Sequence, residues 1–263
     1  MTPNLDPFGR FVAAIEPWLP RLVFIGGWAH RLYRMHPHAQ TLDYPPLMTL
    51  DTDVAMPAAL PIGESVIRER LLAHGFTEEF MGADHPPATH YHLRDSGGFY
   101  AEFLTPLSGA PSDRSGKRKA TAAVGGVVSQ QLRHIDLLLD GPWTVEFPTG
   151  VRLQVANPTS FLAQKMLIHK ARDRRNRAKD VLYIHDTLEL FGSALPELRR
   201  LWRDVLAPGL PPRTAGAVSR SSRELCGEIT DDIRRASEIG ADRRLTPETV
   251  RLVCAYGLDQ VFG

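Results

Sequence analysis

Two stretches, LVFIGGWAH at residues 22–30 and TLDTDV at residues 49–54, decide the fold. In the first, the apolar, β-rich run Leu22–Ile25 stops at Gly26-Gly27, and a helix is predicted from Trp28 to about Met35. Glycines at a strand-to-helix turn let the backbone approach a phosphate closely. The N–H groups at the start of the helix add an anion site. The stretch therefore predicts a phosphate-binding turn.

The second stretch places two carboxylates in a strand predicted within residues 47–56. Asp51 and Asp53 are two residues apart, so their side chains project from one face of that strand. Neighbouring carboxylates repel each other unless a cation lies between them. Mg²⁺ prefers oxygen ligands and is commonly shared with substrate phosphates. The pair predicts a magnesium site.

A third carboxylate follows in the strand FYAEFL at residues 99–104. Glu102 is charged inside an otherwise apolar run, and such a charge needs a partner. A metal shared with Asp51 and Asp53 supplies that partner, and Glu102 could also deprotonate an attacking hydroxyl. Asp51, Asp53 and Glu102 are the predicted catalytic residues and metal ligands.

The order of these features resembles a known family. The run FIGGWA at 24–29 resembles the glycine turn of nucleotidyltransferases of the DNA polymerase β superfamily, including the Gly-Gly-Trp form of some aminoglycoside nucleotidyltransferases. TLDTDV is similar to the Thr-x-Asp-h-Asp strand of AbiEii/MenT-type toxin nucleotidyltransferases, where h is usually aliphatic. A second block, spanning about 157–180, supports that group and contains Asn157-Pro158, FLAQKM (161–166), Arg172 and Lys179-Asp180.

The resemblance, over roughly residues 20–190, implies an α+β fold with a polymerase β-type mixed-sheet core followed by a helical C-terminal domain. The pattern along the chain places the core at 1–156 and the helical domain at 157–263, where the latter contributes to the nucleotide or acceptor site. The implied nucleotide-binding residues are Gly26, Gly27, Trp28, Lys165, Asp180 and Arg172. Lys165 would bind a phosphate, and Asp180 would orient that lysine or the basic turn.

The implied reaction transfers NMP from an NTP such as ATP to an acceptor hydroxyl, with two Mg²⁺ ions (Mn²⁺ possible). The acceptor would be tRNA, in a toxin role with a cognate antitoxin, or a small molecule such as an aminoglycoside. The interval between Gly27 and Asp51 is longer than is usual in the family. Thr52 replaces an aliphatic residue, and Leu47 stands where many relatives carry a basic one. The alternative is a catalytically degenerate nucleotide-binding or regulatory protein. A third interpretation is a structural, helical interaction protein. It ranks below the other two because it leaves the Gly-Gly and Asp-x-Asp strands unexplained.

The composition of the chain further narrows the classes of protein to which it could belong. The 263 residues carry a net charge of +1 and are 43% hydrophobic, which indicates a globular chain without a strong field for nucleic acid. Cys226 and Cys254 are predicted to be free, small core residues. Without a signal peptide or a long apolar run, the chain is predicted to be cytoplasmic, with no membrane partner. The absence of P-loop, GxGxxG and GxSxG patterns excludes typical kinases, dinucleotide-binding enzymes and hydrolases.

Two other polar clusters have simpler interpretations. The segment HPPATHYH, residues 85–92, could bind zinc, but no cysteine or second paired cluster accompanies its histidines. The basic run 172–179 is either a solvated helix face or a contact for triphosphate or an RNA backbone.

Hydrophobic periodicity and turn residues predict the remaining elements. Residues 110–122, with Lys117-Arg118-Lys119, are predicted to form an exposed loop. Strands are predicted at 89–93, 99–104, 135–139, 143–147 and 151–155, and helices at 8–19, 64–74, 159–190, 196–206, 214–239 and 247–261.

Overall fold

A computed structural model describes residues 6–60, 66–81, 88–94, 96–107, 121–239 and 243–263. The chain forms two compact units. The first contains Met1–Ala29 and Met48–Ala156, and the second contains His30–Leu47 and Asn157–Gly263. The first unit holds a mixed β-sheet and the second is helical, so the predicted α+β class is confirmed. The boundary passes through helix α2, Gly26–Leu32.

Nine strands in the described part of the first unit form one sheet. Its central order is β3-β4-β5-β2-β1-β9-β8, and β7 pairs with both β5 and β6. The strands are β1 Val23–Ile25, β2 Asp51–Ala55, β3 Phe76–Met81, β4 Ala88–Leu93, β5 Tyr100–Pro106, β6 Thr121–Val124, β7 Val127–Leu132, β8 Trp143–Glu146 and β9 Arg152–Val155.

The central register aligns the acidic motifs. β2 runs antiparallel to β1, with Ile25 opposite Asp53. It runs parallel to β5, with Asp51 opposite Tyr100 and Asp53 opposite Glu102. Residues that alternate along a strand share a face, and so do directly paired residues on neighbouring strands. The register therefore brings the three carboxylates to one face of the sheet.

The two faces of the central strands are covered differently. Thr52, Val54 and Phe103 point to the face covered by α1, Asp6–Ile15, where aromatic rings such as Phe11 pack. On the opposite face, the helix α4 (Ile135–Leu139) packs on Val23, Ile25, Ala55 and Leu104. Asp51, Asp53 and Glu102 lie on this second face and are only half-buried.

The described part of the second unit is built from helices with identifiable N-terminal caps. The Asn157 side chain accepts from the Ser160 N–H at 2.8 Å, and Pro158 occupies the first turn. Asp173 caps the next helix by accepting from the Asn176 N–H at 3.0 Å. The helices are α5 Pro158–Ile168, α6 Arg174–Leu190, α7 Leu195–Leu201, α8 Ala207–Gly209, α9 Pro212–Cys226, α10 Asp231–Ile239 and α11 Pro247–Phe262.

The structure corrects several element predictions. Residues 135–139 form α4 rather than a strand, because Ile135 and Leu138 are spaced to bury one helical face. Strand β3 follows α3, Ile67–Ala73, and was not predicted, nor were β6 and β7. The predicted loop at 110–122 lies largely outside the described residues, and its last two residues belong to β6. The strands at 89–93, 99–104, 143–147 and 151–155 are confirmed within one or two residues at their ends.

Candidate active site

Gly26 is the residue on which the glycine turn depends. Its φ is +60°, in the region that side-chain-bearing residues rarely adopt. A Cβ at this position would overlap Asp53 Oδ2 and lie 3.1 Å from Asp53 Cγ. The Asp53 carboxylate thus lies directly against the Gly26 backbone. Only glycine satisfies both the backbone conformation and this close approach.

Strands β2 and β5 bring Asp51, Asp53 and Glu102 together. The Glu102 side chain shares a hydrogen bond with Asp53. Burial acts to raise the pKa of Glu102, and so does the negative charge of the nearby Asp51. The nearby His90 ring and the contact with Asp53 outweigh both effects, and this pKa lies below its usual value. Glu102 is therefore ionised at neutral pH. Two carboxyl groups in hydrogen-bond contact need a proton or a cation between them.

Three further side chains surround the carboxylates. Thr49 Oγ1 donates to Asp51 Oδ1. His90 Nε2 lies 3.6 Å from Glu102 Oε2, and the His90 ring stacks on Tyr100 with ring centroids 4.4 Å apart. Burial and the charges of Asp51, Glu102 and Asp53 together raise the pKa of Tyr100. The phenol is therefore neutral and lies within the field of all three acids.

His90 was not among the residues predicted for this site. It was weighed only together with His85 and His92, as a possible zinc cluster. His85 lies outside the described residues, and His92 pairs with Glu79 at 3.1 Å. The available signal was strand alternation: His90 and His92 share a face of β4, and the pairing of His92 with Tyr100 puts that face beside Glu102.

Trp28 lies in the hydrophobic core. Its side chain is 2% exposed and stacks on Phe8, with ring centroids 3.8 Å apart and an interplanar angle of 8°. Gly27, beside it, is also buried. In this position the Trp28 side chain fixes the first turn of α2 against α1.

Lys165, Arg172 and Asp180 form an ion-pair group in the second unit. Lys165 Nζ lies 2.6 Å from Asp180 Oδ1, and Arg172 Nε lies 3.2 Å from Asp180 Oδ2. Burial acts to raise the pKa of Asp180, but the charges of Lys165 and Arg172 outweigh it and hold that pKa below its usual value. Lys165 and Asp180 are almost fully buried, whereas the Arg172 side chain is 40% exposed.

Other residues of the basic run also have acidic partners. Arg174 pairs with Asp231 at 3.0 Å, and Arg177 pairs with Asp232 at 2.9 Å. Both acids belong to the start of α10. These pairs tie α6 to α10, which gives part of the run a structural role.

An oxygen-rich face of the sheet thus lies next to a glycine turn that begins a helix. Its donor set is all carboxylate, which suits a hard divalent cation. A sequence model described as nucleotidyltransferase matches residues 9–207. The chain belongs to this nucleotidyltransferase family.

Family membership makes the general activity the transfer of a nucleoside monophosphate, with a nucleotide as substrate. A search of curated proteins finds no match. Among the described residues, no helix is both long enough and apolar enough to cross a membrane.

Proposed function

We propose that this chain is an active, Mg²⁺-dependent nucleotidyltransferase that moves NMP from an NTP such as ATP to an acceptor hydroxyl. One observation carries the proposal: the register sets Asp53 opposite Glu102, with Asp51 on the same face and Gly26 against Asp53. Asp51, Asp53 and Glu102 would hold the metal, either Mg²⁺ or Mn²⁺. Bound there, two such ions would neutralise the charge that develops on the entering and leaving oxygens.

In the proposed reaction, the acceptor oxygen forms a bond to the α-phosphorus of the NTP. The bond from that phosphorus to the oxygen bridging to the β-phosphate breaks, and pyrophosphate leaves. Glu102, which is ionised, accepts the hydroxyl proton. Positioning and charge neutralisation carry most of such a reaction.

The Gly26-Gly27-Trp28 turn would bind phosphate through its backbone, because the Trp28 side chain lies in the core. Lys165, Asp180 and Arg172 would act on the nucleotide as one group. Arg172 offers the more exposed of the two cations, and Asp180 holds it next to Lys165. Loss of Asp180 should therefore weaken nucleotide binding through both cations.

The acceptor is proposed to be either tRNA, in a toxin-like role controlled by a cognate antitoxin, or a small hydroxylated molecule such as an aminoglycoside. Screening each acceptor for incorporation of labelled NMP separates the two. Transfer to tRNA alone would assign the toxin-like role, and transfer to the aminoglycoside alone would assign the antibiotic-modifying role.

The test of the proposal is calorimetric titration of each NTP, with and without Mg²⁺. Wild type should bind one NTP far more tightly with Mg²⁺, and the double variant Asp51→Asn/Asp53→Asn should lose that metal dependence. Glu79→Gln is the matched control, because Glu79 lies on the same sheet and pairs with His92 rather than with the three carboxylates. Folded wild type that binds no NTP would refute the proposal and favour a degenerate fold.

A further inference from the structure

A second group of metal-ligating side chains lies inside the helical unit, and the proposed reaction does not use it. Helix α6 carries His185, Asp186 and Glu189, and residues one turn apart on a helix share a face. His30, from α2, faces the same point. We call these four residues the His30 cluster.

The ligand atoms of the His30 cluster are spaced for one ion. His185 Nδ1 lies 3.0 Å from Asp186 Oδ1 and 3.6 Å from Glu189 Oε2. His30 Nε2 lies 4.0 Å from Asp186 Oδ2. Around a tetrahedral zinc ion with bonds of about 2.0–2.1 Å, neighbouring ligand atoms lie about 3.3 Å apart. The ligand atoms of His185, Asp186 and Glu189 all lie within 4.8 Å of one another, and His30 approaches this group from the side of Asp186 Oδ2.

His30 provides an independent reason to expect a ligand. It is 1% exposed, and neither of its ring nitrogens has a hydrogen-bond partner in the described structure. Asp186 Oδ2, which faces it, likewise lacks a hydrogen bond there. Buried polar atoms in native proteins almost always have partners, and each exception calls for an explanation. One ion between His30 Nε2 and Asp186 Oδ2 would give both of these atoms a partner.

Two outer side chains hold the carboxylates in place. Arg243 Nη1 donates to Asp186 Oδ1, which leaves Oδ2 directed at His30. Tyr44 Oη donates to Glu189 Oε2, and the Arg243 guanidinium lies 3.8 Å from the centroid of the Tyr44 ring. Outer groups of this kind orient metal ligands and are common around protein metal sites.

We propose that the His30 cluster binds one divalent transition-metal ion through His30, His185, Asp186 and Glu189. Two imidazoles and two carboxylates suit Zn²⁺ and its neighbours rather than Mg²⁺. The site is therefore distinct from the three carboxylates on the sheet, and the inference does not rest on the proposed function. The positive charges of Arg243 and of Arg34, which lies 5.4 Å from the Tyr44 ring, act against cation binding and lower the affinity of the site.

The experiment is a titration of the metal-free full chain with Co²⁺, followed by visible absorption. The Asp53→Asn background removes one carboxylate from the sheet site, so that site contributes less to the signal. One equivalent of Co²⁺ should give the intense bands of four-coordinate cobalt, and Zn²⁺ should displace it. Folded protein that shows no saturable band would overturn the inference.

Variants assign the ligands. In the same background, Glu189→Gln and His30→Gln should each weaken Co²⁺ binding by about 100-fold or more. Glu189 is 31% exposed, so its replacement tests the site even if His30→Gln does not fold. The control is His169→Gln in the same unit, where His169 pairs with Asp232 at 3.4 Å. The assignment would be contradicted if Glu189→Gln bound Co²⁺ as tightly as the parent protein does. It would also be contradicted if His169→Gln lost as much Co²⁺ affinity as the ligand variants.

Discussion

At the scale of single residues, Gly26 and Thr52 show opposite relations between a residue type and its surroundings. Gly26 occupies a position that no other residue fits, because its φ is positive and Asp53 lies against it. Thr52 is fully buried on the core face of β2, and its hydroxyl has no hydrogen-bond partner in the part of the chain described. Gly26 is required by the local geometry, whereas Thr52 is tolerated at a cost in stability.

We expect Gly26→Ala to lower the free energy of unfolding by about 1–3 kcal/mol, because it combines backbone strain with displacement of the Asp53 carboxylate. Nucleotidyl transfer should fall more steeply than stability. Gly9→Ala is the matched control: the added methyl would meet only Phe147 Cε1, at 3.8 Å, and alanine favours the helix. Urea unfolding and a transfer assay on both variants measure the two effects. Wild-type transfer by Gly26→Ala would contradict the role of the turn.

We expect Thr52→Val to raise the free energy of unfolding by about 1 kcal/mol, because it replaces an unbonded buried hydroxyl by a methyl of the same shape. The contrasting variant is Thr105→Val, since Thr105 Oγ1 is buried and lies 3.1 Å from Ser129 Oγ. That change should destabilise the protein by a similar amount. The comparison uses denaturant midpoints at neutral pH. If both variants changed the free energy of unfolding in the same direction, the hydrogen bonding of the hydroxyl would not decide the effect on stability.

At the scale of elements, the ion pairs of α5 and α6 set part of the acid stability. The pKa of Asp180 is lowered in the folded state, so the folded protein holds its proton less tightly than the unfolded chain does. The stabilisation is fully present above the unfolded pKa of about 3.9 and is lost as pH falls through the folded value. The relevant window is therefore below about pH 4.

We expect Asp180→Asn to lower the free energy of unfolding by about 3 kcal/mol at pH 7, because it leaves Lys165 buried without its carboxylate partner. The difference from wild type should shrink as pH falls below about 4. Asp231→Asn, which breaks an exposed pair with Arg174, should cost less than about 1 kcal/mol. Urea unfolding from pH 7 to pH 2 tests both. If the difference in free energy of unfolding between wild type and Asp180→Asn stayed constant with pH, the protonation of Asp180 would not be linked to stability.

Local patterns predicted some elements and failed for others. The face shared by Asp51 and Asp53 follows from the two-residue period of a single strand. The run at 135–139 is nearly continuous in apolar residues, and periodicity cannot separate a short helix from a strand there. Strand β3 is mostly exposed and has no apolar alternation to mark it. The hairpin of β6 and β7 turns at Gly125-Gly126, both with positive φ, and this double glycine was an overlooked signal.

The candidate site was predictable to a similar extent. Asp51, Asp53 and Glu102 stood out as charges in apolar strands, but the pairing of Asp53 with Glu102 depends on a register between distant segments. The contact of His90 with Glu102 depends on the same long-range pairing. Resemblance supplied the roles of Lys165, Asp180 and Arg172, which spacing alone does not indicate. Those roles, and the division into domains at residue 156, stay predictions.

At the scale of the whole molecule, the helical unit extends beyond the family match, which ends at residue 207. Helix α11 buries Cys254, Leu258 and Phe262, and the Phe262 ring packs edge-on against Trp202 at 4.9 Å. Cys226 and Cys254 are both free and buried, as predicted. The last helices are therefore part of the core of this unit.

We expect a chain truncated after residue 207 to lose cooperative unfolding of the helical unit, because α10 and α11 would be missing and the faces of α6 and α7 that pack on them would be exposed. The control keeps the full length and carries Leu252→Ser and Tyr256→Ser, whose side chains are 57% and 65% exposed on α11. Hydrogen exchange of α6 amides measures the effect. Protection of α6 in the truncated chain, equal to that of the full-length control, would show that the last helices are dispensable.

The division of the helical unit between residues 30–47 and 157–263 also affects its folding during synthesis. Tyr44 leaves the ribosome long before Asp186 and Glu189, which it contacts in the finished protein. At about 5–20 residues per second, the delay is roughly 7–30 seconds. The larger part of the sheet unit, residues 48–156, is translated within this interval. Slower translation through this interval would prolong the time in which the 30–47 segment lacks its partners, so codon usage there should influence the yield of folded protein.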